Sequence, residues 1–553
     1  MKKNFVGPIG HVLLLASYFF STAIIAQKNT WTWIGGDAYH ANSPVYEKVN
    51  GGPEVNPGAR EGATTVVSNG KVYLFGGATA KVGMDPKFLE WNPPTCYRND
   101  LWEYDPAVKA LRFISGTIAT VSWQDPQPRV GAALWVLGTK AYIFSDQVWD
   151  GQEYYFEKND MWEYDLVTGA QKMLFKYYSG GYPGIIVPSS RSYANTWVSN
   201  DKLYLFGGSG NNDIWEYTPS TNTWLQVRSN SPAIYGTMGI AAAENTPGGR
   251  TQAGSVQAGT KVFLFGGQGK SDASDATGEL NDAWELNLAT NQWRWIGGSK
   301  TLNNAAVYGT LNQPSVNNRP GGRHSAGCWW IDNKLWIGLG NGYDAQFQKG
   351  NLNDLWSYDT STLQWCWRKG SNTKYSAGYF GNINTGTAQT NPGSKTFFSY
   401  WTFNNRLMLW GGSELDDERY FVRLNDCWSF DAASNIWTWV GGNSQPQNDY
   451  YLAGIYGNKG VPSSVNFPGG REQAATWSVY GKFYLFGGWG TDTKGKTGWL
   501  NDLWEFDPPS KKWTWISGFD TCNGTANYGT KGVAKEENLP GPRGRAASWS
   551  NKG

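Results

Sequence analysis

Short runs of alternating apolar and polar residues follow one another along almost the whole chain. The segment from Pro468 to Ile516 shows the unit, in which strand-like runs are separated by turn residues such as Tyr-Gly, Gly-Gly and Asp-Pro. Alternation with a period of two, bounded by turns, predicts short β-strands packed on both faces. Four strands are predicted in this segment: one after Arg471 and the others at 483–486, 503–506 and 513–516. The pattern predicts an all-β fold.

The unit recurs seven times. "PGGREQAATWSVYGKFYLFGG" at Pro468 is matched by "PGGRTQAGSVQAGTKVFLFGG" at Pro247 and "PGGRHSAGCWWIDNKLWIGLG" at Pro320, with looser copies between them. A four-stranded unit cannot bury both faces alone, so a radial arrangement in which each blade covers its neighbours is expected, a β-propeller. One basic residue marks each copy, every 59 to 76 residues: Arg60, Arg129, Arg191, Arg250, Arg323, Lys395, Arg471 and, opening a further copy, Arg543.

The two ends of the chain read as parts of one further blade. "TWTWIGG" at 30–36 is a fourth strand with no strands before it, and "PGPRGRAASWSNKG" at 540–553 is a first strand with none after it. We therefore expect seven complete repeats plus a split blade, and a sequence truncated at its C-terminus.

The first residues have the pattern of an export signal. Lys2 and Lys3 precede an apolar stretch over 12–25, and Ala26 precedes Gln27 at a plausible cleavage point. The alternative, a buried or membrane-spanning helix, is less favoured because the apolar run is short and polar sequence follows at once. We expect a signal peptide over 1–26, a propeller over 27–553, no membrane span, and a secreted or cell-surface monomer.

The charge balance narrows the partners. The chain has 47 Lys and Arg against 45 Asp and Glu, a formal charge of +2, where a nucleic-acid-binding protein needs a basic excess. Gly, Trp and Tyr are abundant, at 70, 32 and 30 residues, which suits tight turns and a large aromatic core. We expect a protein or carbohydrate ligand and no nucleic acid.

The repeat resembles the kelch repeat. The resemblance rests on Gly-Gly closing the second strand, Trp near the start of the third (such as Trp284 and Trp504) and Trp in the fourth (such as Trp293 and Trp513). The copies are longer than the roughly 50 residues usual for kelch, so the surplus lies in loops. Ser145-Asp146 and Leu339-Gly340 replace Gly-Gly in two copies, where we expect the turn to bend differently. The resemblance implies a kelch-type β-propeller like the central domain of galactose oxidase, typical of secreted bacterial proteins.

Two carboxylates ten residues apart recur between the second and third strands. Three interpretations compete: a catalytic pair, a Ca²⁺ site, and a structural joint. Six copies argue against one catalytic pair, and no dense calcium-loop sequence is present, although carboxylates are suitable Ca²⁺ ligands. The structural interpretation is favoured: the upstream Asp braces its loop through backbone N–H groups, and the downstream Asp pairs with the marker Arg. Calcium is the alternative, with candidate ligands Asp272, Asp282, Asp344, Asp354, Asp416, Asp426, Asp492 and Asp502; no other cofactor is expected.

Two rings of repeated side chains are candidate binding residues. The marker arginines, if unpaired, would line one mouth of the channel and attract anions; pairing with the recurring Asp is the favoured alternative. Tyrosines in the loops between blades could bind sugars or peptides, but packing of each loop onto the next blade is favoured. The candidates are Arg60, Arg129, Arg191, Arg250, Arg323, Arg471 and Arg543, with Tyr308, Tyr456 and Tyr528.

Loop lengths indicate which face binds. The 1–2 and 3–4 turns are short, whereas the 2–3 and 4–1 loops are long and share one face, where function is usually carried. We expect a binding or interaction scaffold that uses this face. The alternative is a carbohydrate-active enzyme of the sugar oxidase or sialic-acid epimerase type. It is less favoured because no His pair matches the galactose oxidase copper site: the only histidines are His11, His40 and His324.

Overall fold

The computed structural model describes residues 31–32, 63–80, 95–105, 110–116, 127–149, 155–175, 187–191, 194–208, 211–228, 232–271, 276–290, 292–415, 421–444, 452–479, 481–527, 530, 534–535 and 537–544. Every regular element in these ranges is a β-strand, as the alternation predicts. None of the described residues form a helix of the length and apolarity needed to cross a membrane. The predicted signal peptide, 1–26, lies outside the described residues.

The strands are numbered in the order in which they occur along the chain. The first twelve are β1 (Trp31–Thr32), β2 (Thr64–Ser68), β3 (Lys71–Phe75), β4 (Ala78–Ala80), β5 (Thr95–Tyr97), β6 (Leu101–Asp105), β7 (Ala110–Ser115), β8 (Arg129–Val130), β9 (Ala133–Leu137), β10 (Lys140–Trp149), β11 (Tyr155–Asp165) and β12 (Gln171–Phe175). The next ten are β13 (Asn195–Ser199), β14 (Lys202–Phe206), β15 (Ile214–Thr218), β16 (Thr223–Arg228), β17 (Ala241–Ala242), β18 (Arg250–Thr251), β19 (Gly254–Ala258), β20 (Lys261–Lys270), β21 (Thr277–Asn287) and β22 (Gln292–Gly297). The remaining strands are β23 (Arg323–His324), β24 (Gly327–Ile331), β25 (Lys334–Gly338), β26 (Asn341–Tyr343), β27 (Lys349–Asn351), β28 (Leu355–Asp359), β29 (Gln364–Lys369), β30 (Ser399–Phe403), β31 (Arg406–Leu415), β32 (Phe421–Asp431), β33 (Ile436–Gly441), β34 (Arg471–Glu472), β35 (Ala475–Val479), β36 (Lys482–Thr491), β37 (Thr497–Asp507), β38 (Lys512–Ser517) and β39 (Ala534–Lys535).

Seven antiparallel blades of four strands lie within the described ranges, which confirms the predicted all-β architecture. Blades 1 to 7 are β2-β3-β6-β7, β9-β10-β11-β12, β13-β14-β15-β16, β19-β20-β21-β22, β24-β25-β28-β29, β30-β31-β32-β33 and β35-β36-β37-β38. First strands of consecutive blades pack together, as β2 does with β9 and β19 with β24. The first strand of each blade is therefore innermost and the fourth lies at the outer edge.

The hydrophobic core lies between blades rather than within them. One cluster joins Met408 and Trp410 of blade 6 to Phe483, Trp504 and Trp513 of blade 7. Equivalent clusters join blades 1 and 2, 2 and 3, 4 and 5, and 5 and 6. Each buried aromatic side chain removes roughly 150–250 Å² from water, so a blade gains this burial only when its neighbour is in place.

The Gly-Gly pair that closes the second strand forms a joint with the next blade. Gly487 and Gly488 have φ of +63° and +98°, in the left-handed region that favours glycine. The Gly488 N–H donates to the Arg543 carbonyl at 2.9 Å, and the Arg543 N–H donates to the Leu500 carbonyl at 3.0 Å. A Cβ on Gly487 would lie 2.5 Å from the Arg543 oxygen. Gly76 and Gly77 make the same joint with Arg129.

The expectation that Leu339-Gly340 bends differently is wrong. Leu339 has φ of +58°, close to the +61° and +63° of Gly266 and Gly487. Its carbonyl must take the same direction because it accepts from the Arg323 Nη1 at 3.1 Å, as the Gly487 carbonyl accepts from Arg471. The Leu339 side chain is fully buried between blades 5 and 6, and this burial offsets the strain of a left-handed non-glycine residue.

The 4–1 loops lie along the outer edge of the following blade. In the loop before blade 7, the Gly460 and Ser463 N–H groups donate to the Trp515 and Trp513 carbonyls of β38 at 2.8 and 3.1 Å. The loops before blades 4, 5 and 6 make matching contacts with β22, β29 and β33. An open fourth strand exposes unpaired backbone groups, and the loop satisfies them. These segments therefore cover the rim, and this limits the expectation that they form part of the binding face.

The first described strand is covered in the same way. β39 lies in the loop after blade 7 and pairs with β1, with Trp31 opposite Lys535 and Thr32 opposite Ala534. Trp31 thus stands where Trp293 stands in blade 4, opposite a strand of the preceding 4–1 loop. Arg543 is joined to blade 7 like the first residue of a next blade. Both observations agree with the expected split blade, whose remaining residues lie outside the described ranges.

Candidate binding site

In blades 2 to 7 the marker arginine or lysine and the downstream aspartate form a buried ion pair. The Arg471 Nη1 and Nη2 lie 2.5 and 2.7 Å from the two Asp502 oxygens, a bidentate geometry. The Arg471 Nη1 and Nε also donate to the Gly487 and Gly469 carbonyls at 3.0 Å. Burial alone would lower the pKa of Arg471, but the Asp502 charge outweighs it and raises that pKa. The guanidinium therefore joins the start of the first strand to the second and third strands.

The same pairing is present in six blades, as the favoured structural interpretation predicts. The pairs are Arg129–Asp160, Arg191–Asp213, Arg250–Asp282, Arg323–Asp354, Lys395–Asp426 and Arg471–Asp502. Arg60 lies outside the described residues. Arg543 is exposed, and its Nε donates to the Gly541 carbonyl at 2.9 Å. The geometry gives the five described arginines from Arg129 to Arg471 a structural role, and anion binding by the ring stays a prediction.

The loop tyrosines close the same joints. The Tyr308 and Tyr456 hydroxyls donate to the second oxygens of Asp354 and Asp502 at 2.8 and 2.5 Å. Both side chains are buried, and burial followed by the carboxylate charge raises their pKa well above 10.0. The structure thus confirms the favoured packing of each loop onto the next blade. Tyr235 makes this bond to Asp282 in blade 4 at 2.9 Å, although the sequence patterns did not single it out; Tyr528 lies outside the described residues.

The upstream aspartate of the ten-residue pair braces its own loop. Asp492 Oδ1 accepts from the Lys494 and Lys496 N–H groups at 2.8 and 2.9 Å, and Oδ2 accepts from the Cys522 N–H at 3.1 Å. Burial would raise the pKa of Asp492, but these bonds outweigh it and lower that pKa. Asp344 accepts similar bonds from Gln346, Gln348 and Lys374. The loop-bracing interpretation is confirmed at these two residues.

The two aspartates of a pair therefore bind different partners. Asp272 and Asp416 lie outside the described residues, while Asp282 and Asp426 pair with Arg250 and Lys395. Within the part of the chain that the structure describes, no three His, Cys, Asp or Glu side chains are grouped closely enough to hold a metal ion. Calcium binding at these positions stays a prediction.

An asparagine before each downstream aspartate ties the blade to its neighbour, a role that sequence reasoning missed. The Asn501 Nδ2 donates to the Pro540 carbonyl at 2.8 Å, and its Oδ1 accepts from the Phe519 N–H at 3.0 Å. The same side-chain donation joins Asn212 to Pro247, Asn281 to Pro320, Asn353 to Pro392 and Asn425 to Pro468. The recurring Asn-Asp dipeptide was the available signal. Its first residue bonds the next blade and its second bonds its own.

On the 2–3 loop face, side chains that differ between blades meet next to these joints. We call the line of contact between two consecutive blades a seam. At three seams the residue two positions before the asparagine faces the residue after the next marker arginine. At the seam of blades 4 and 5 these are Glu279 and His324, whose Oε2 and Nδ1 lie 2.9 Å apart. Lys349 and Gln268 donate to the other Glu279 oxygen at 2.7 and 3.0 Å. This arrangement is a four-residue polar cluster that no other blade repeats within the described ranges.

The Glu279 carboxylate is stabilised in its charged form. It is almost fully buried, and burial would raise its pKa. Hydrogen bonds from His324, Lys349 and Gln268 outweigh burial and lower the pKa from the usual 4.5. At neutral pH the cluster therefore presents a bound carboxylate beside the partly exposed Lys349 ammonium.

Two further seams carry different chemistry at the same backbone positions. At the seam of blades 6 and 7, Arg423 Nη2 lies 2.7 Å from Glu472 Oε1. After blade 7, the Trp499 ring lies against Gly544 and makes an edge contact with Trp489. The seams thus present an acid–imidazole cluster, an ion pair and an aromatic pair in turn.

A row of left-handed residues leads into the innermost strands on this face. Gln252, Ser325, Phe397 and Gln473 have φ between +53° and +59°. The Ser325 N–H donates to the Gln252 carbonyl at 2.9 Å, so neighbouring members of the row are in contact. Phe397 is 59% exposed. Repeated strain in non-glycine residues is found where backbone position is set by function or by close packing, and this row places two glutamines, a serine and a phenylalanine beside the starts of the innermost strands.

Comparisons with known proteins identify the repeat. The family model described as the KLHDC2/KLHL20/DRC7 Kelch-repeats domain matches residues 38–243 and 186–377, and the Kelch motif model matches residues 470–518. Human Kelch domain-containing protein 3 is 22% identical over 223 residues, 39% of this chain and 49% of that protein. Human Kelch domain-containing protein 1 is 23% identical over 264 residues, 43% and 55% respectively.

A bacterial enzyme matches a shorter segment. N-acetylneuraminate epimerase of Yersinia enterocolitica is 36% identical over 134 residues, which is 22% of this chain and 27% of the enzyme. The chain spans about half the length of the two human proteins. The matched family models together cover more than half of the chain, and their repeats coincide with the blades described above. This chain belongs to the kelch-repeat family.

Proposed function

We propose that the chain is an exported binding scaffold that holds a protein or carbohydrate ligand on the face of the 2–3 loops. Kelch repeats are typical of protein-interaction scaffolds, and this is the general basis of the proposal. The observation that carries it is the variation at the seams and along the row of left-handed residues, where one repeated backbone framework displays different side chains at equivalent positions.

The opposite face gives the contrast. There a lysine that opens the second strand pairs with a mostly buried glutamate of the third, in a contact repeated in five blades. The pairs are Lys71–Glu103, Lys140–Glu163, Lys202–Glu216, Lys261–Glu285 and Lys482–Glu505. On most of that face the same ion pair therefore recurs, and its two charges neutralise each other. The 2–3 loop face instead combines aromatic, acidic and basic groups. Mixed aromatic and polar groups are the usual composition of recognition surfaces.

The binding proposal is tested with residues 27–553 on a glycan array and a displayed peptide library. We expect saturable binding that is lost in Phe397→Ser or Trp499→Thr. Val167→Ser is the matched control, because Val167 is 71% exposed in a 3–4 turn of the other face. Binding that persists in both Phe397→Ser and Trp499→Thr but is lost in Val167→Ser would place the ligand elsewhere. Export is tested separately by sequencing the secreted protein, which should begin at Gln27.

A carbohydrate-active enzyme is the second candidate. The observations that favour it are the segment similar to the epimerase and the Glu279–His324–Lys349 cluster, which brings an acid, an imidazole and an amine together at one seam. Epimerisation of N-acetylneuraminate followed by NMR, and peroxide release from galactose with added copper, test the two enzyme types. Turnover that is lost in Glu279→Gln would replace the scaffold proposal.

A further inference from the structure

A cleft of about 240 Å³ opens on the opposite face, between blades 6 and 7. The 1–2 turn of blade 6 supplies Phe403 and Arg406, and the 3–4 turn of blade 7 supplies Pro508, Pro509 and Lys511. Its remaining lining comes from blade 6: Asn404, Met408, Ser429 and Val440. The cleft thus has apolar walls and two cationic groups at one seam.

Three residues of this cleft differ from the residue most common at their place in the repeat, and two of these differences favour positive charge. Arg406 replaces the lysine that opens the second strand in the other six blades and keeps its positive charge. Ser429 stands where five blades have the third-strand glutamate that neutralises this lysine, such as Glu505 in blade 7, and blade 5 likewise has a serine there, Ser357. Lys511 replaces the asparagine found before the fourth strand as Asn222 and Asn435.

Lys511 is held in a conformation that suits asparagine better. Its φ is +55°, against +52° and +58° for Asn222 and Asn435. Asparagine adopts the left-handed region more readily than a long side chain does. Lys511 therefore carries backbone strain, as Leu363 does with a φ of +57° at the same place in blade 5.

One of the two cationic groups of the cleft is not balanced by a direct contact with a described residue. Arg406 Nη2 pairs with Asp431 Oδ2 at 2.5 Å, and the Asp507 carboxylate is bound within its own turn by Ser510. The Lys511 ammonium has no hydrogen-bond or ion-pair partner among the described residues. Burial, followed by the nearby Arg406 charge, lowers the pKa of Lys511 from 10.5. An anion in the cleft would relieve this repulsion.

We propose that the cleft binds a single anionic sugar unit through its carboxylate, as in a uronic acid. The Arg406 guanidinium and Lys511 ammonium hold the carboxylate, since both form charge-assisted hydrogen bonds with anions. The sugar ring lies against the Phe403, Pro508 and Pro509 side chains, because sugar C–H groups pack on such apolar surfaces. The volume is below the roughly 300–1,000 Å³ of pockets for drug-sized ligands, which limits the occupant to about one ring. This site is separate from the 2–3 loop face.

The test measures binding of D-glucuronate to the purified protein by calorimetry, with D-glucose and inorganic sulfate as comparison probes. We expect glucuronate to bind more tightly than either, because glucose lacks the charge and sulfate lacks the ring. Lys511→Asn restores the repeat residue and should weaken glucuronate binding roughly tenfold or more, the value of one charge-assisted bond. Ser429→Glu restores the neutralising carboxylate and should have a similar effect.

Lys202→Gln is the matched control, because it removes one positive charge from the same face at another seam. Its glucuronate affinity should equal that of the unmodified protein. Equal binding by Lys511→Asn, equal loss in the control, or no saturable glucuronate binding would overturn the proposal. Sulfate binding as tight as glucuronate binding would show a general anion site and overturn the assignment to a sugar. Thermal unfolding of each variant separates loss of the site from loss of the fold.

Discussion

Arg471 and Asp502 form a fully buried bidentate ion pair, with Nη1–Oδ1 and Nη2–Oδ2 distances of 2.5 and 2.7 Å. Trp504 Nε1 and the Tyr456 hydroxyl also donate to Asp502 Oδ2, at 2.7 and 2.5 Å. The carboxylate therefore joins the first strand, the third strand and the preceding loop of blade 7 at one point.

Removal of one member should leave the other charged and buried. We expect Asp502→Asn to lower the free energy of unfolding by about 3–5 kcal/mol, the usual cost of breaking a buried pair from one side. Urea unfolding at pH 7 measures it. Glu505→Gln removes one member of the half-buried Lys482 pair but leaves the Lys482 ammonium within reach of water, and it should cost less, about 1 kcal/mol. Equal costs for the two variants would contradict the structural role of the buried joint.

Blade 6 contains a natural variant of this joint. Lys395 replaces the arginine and Phe380 replaces the tyrosine, although the Phe380 ring still packs on Trp428. We expect Lys395→Arg and Phe380→Tyr to stabilise the protein together by about 1–2 kcal/mol, because each adds donors for buried oxygen atoms. Thermal unfolding of the two single variants and the double variant measures the coupling free energy between the two changes. We expect coupling because both new side chains would bond to Asp426.

The reverse changes in blade 7 are the matched control for that pair. Arg471→Lys and Tyr456→Phe should each destabilise the protein. If Lys395→Arg and Phe380→Tyr also destabilise the protein, then close packing, and not a lack of hydrogen-bond donors to Asp426, explains why blade 6 has Lys395 and Phe380.

Glu279 should make part of the stability depend on acid pH. Its pKa is lower in the folded protein than the usual 4.5, so its stabilisation is present above that value. This stabilisation is lost as the pH falls from about 4.5 through the lower folded pKa. Urea unfolding from pH 7 to pH 3 should show Glu279→Gln less stable than the unmodified protein by about 1–3 kcal/mol at pH 7. The difference should shrink towards pH 3; a constant difference would contradict the depressed pKa.

Gly487 should not tolerate a side chain. A Cβ there would lie 2.5 Å from the Arg543 carbonyl oxygen and 3.0 Å from the Leu500 carbonyl oxygen. Gly495 also has a positive φ, +74°, but nothing lies within 4 Å of its Cβ direction. We expect Gly487→Ala to cost at least about 2 kcal/mol more than Gly495→Ala, because only the first adds a clash to the conformational strain. Chemical denaturation of the two variants measures the difference; similar costs would show that the blade joint yields.

The repeat made much of the fold and of the joints predictable. The pairing of Arg471 with Asp502, and the loop bracing by Asp492, follow from residues that recur at fixed spacing within a copy. The Asn501 side chain donates to the Pro540 carbonyl of the next blade. Whether these two groups meet depends on the distance between neighbouring blades, which the sequence of a single repeat does not specify. For the same reason, the facing of Glu279 and His324 could not be read from the sequence. The course of the 4–1 loops was also missed, because loop length indicates neither direction nor partner.

The loops along the rim have a consequence for how such a chain can be rearranged. In blades 4 to 7 the outer strand is completed by the segment that precedes its own blade, so a self-contained module there does not begin at the marker arginine or lysine. For blade 7 it begins before Ile455, where the rim segment starts, and ends with β38 at Ser517. A duplication or deletion with its boundaries just after a fourth strand would carry each rim segment together with the edge it covers. A boundary at Arg471 would separate them and leave one edge bare.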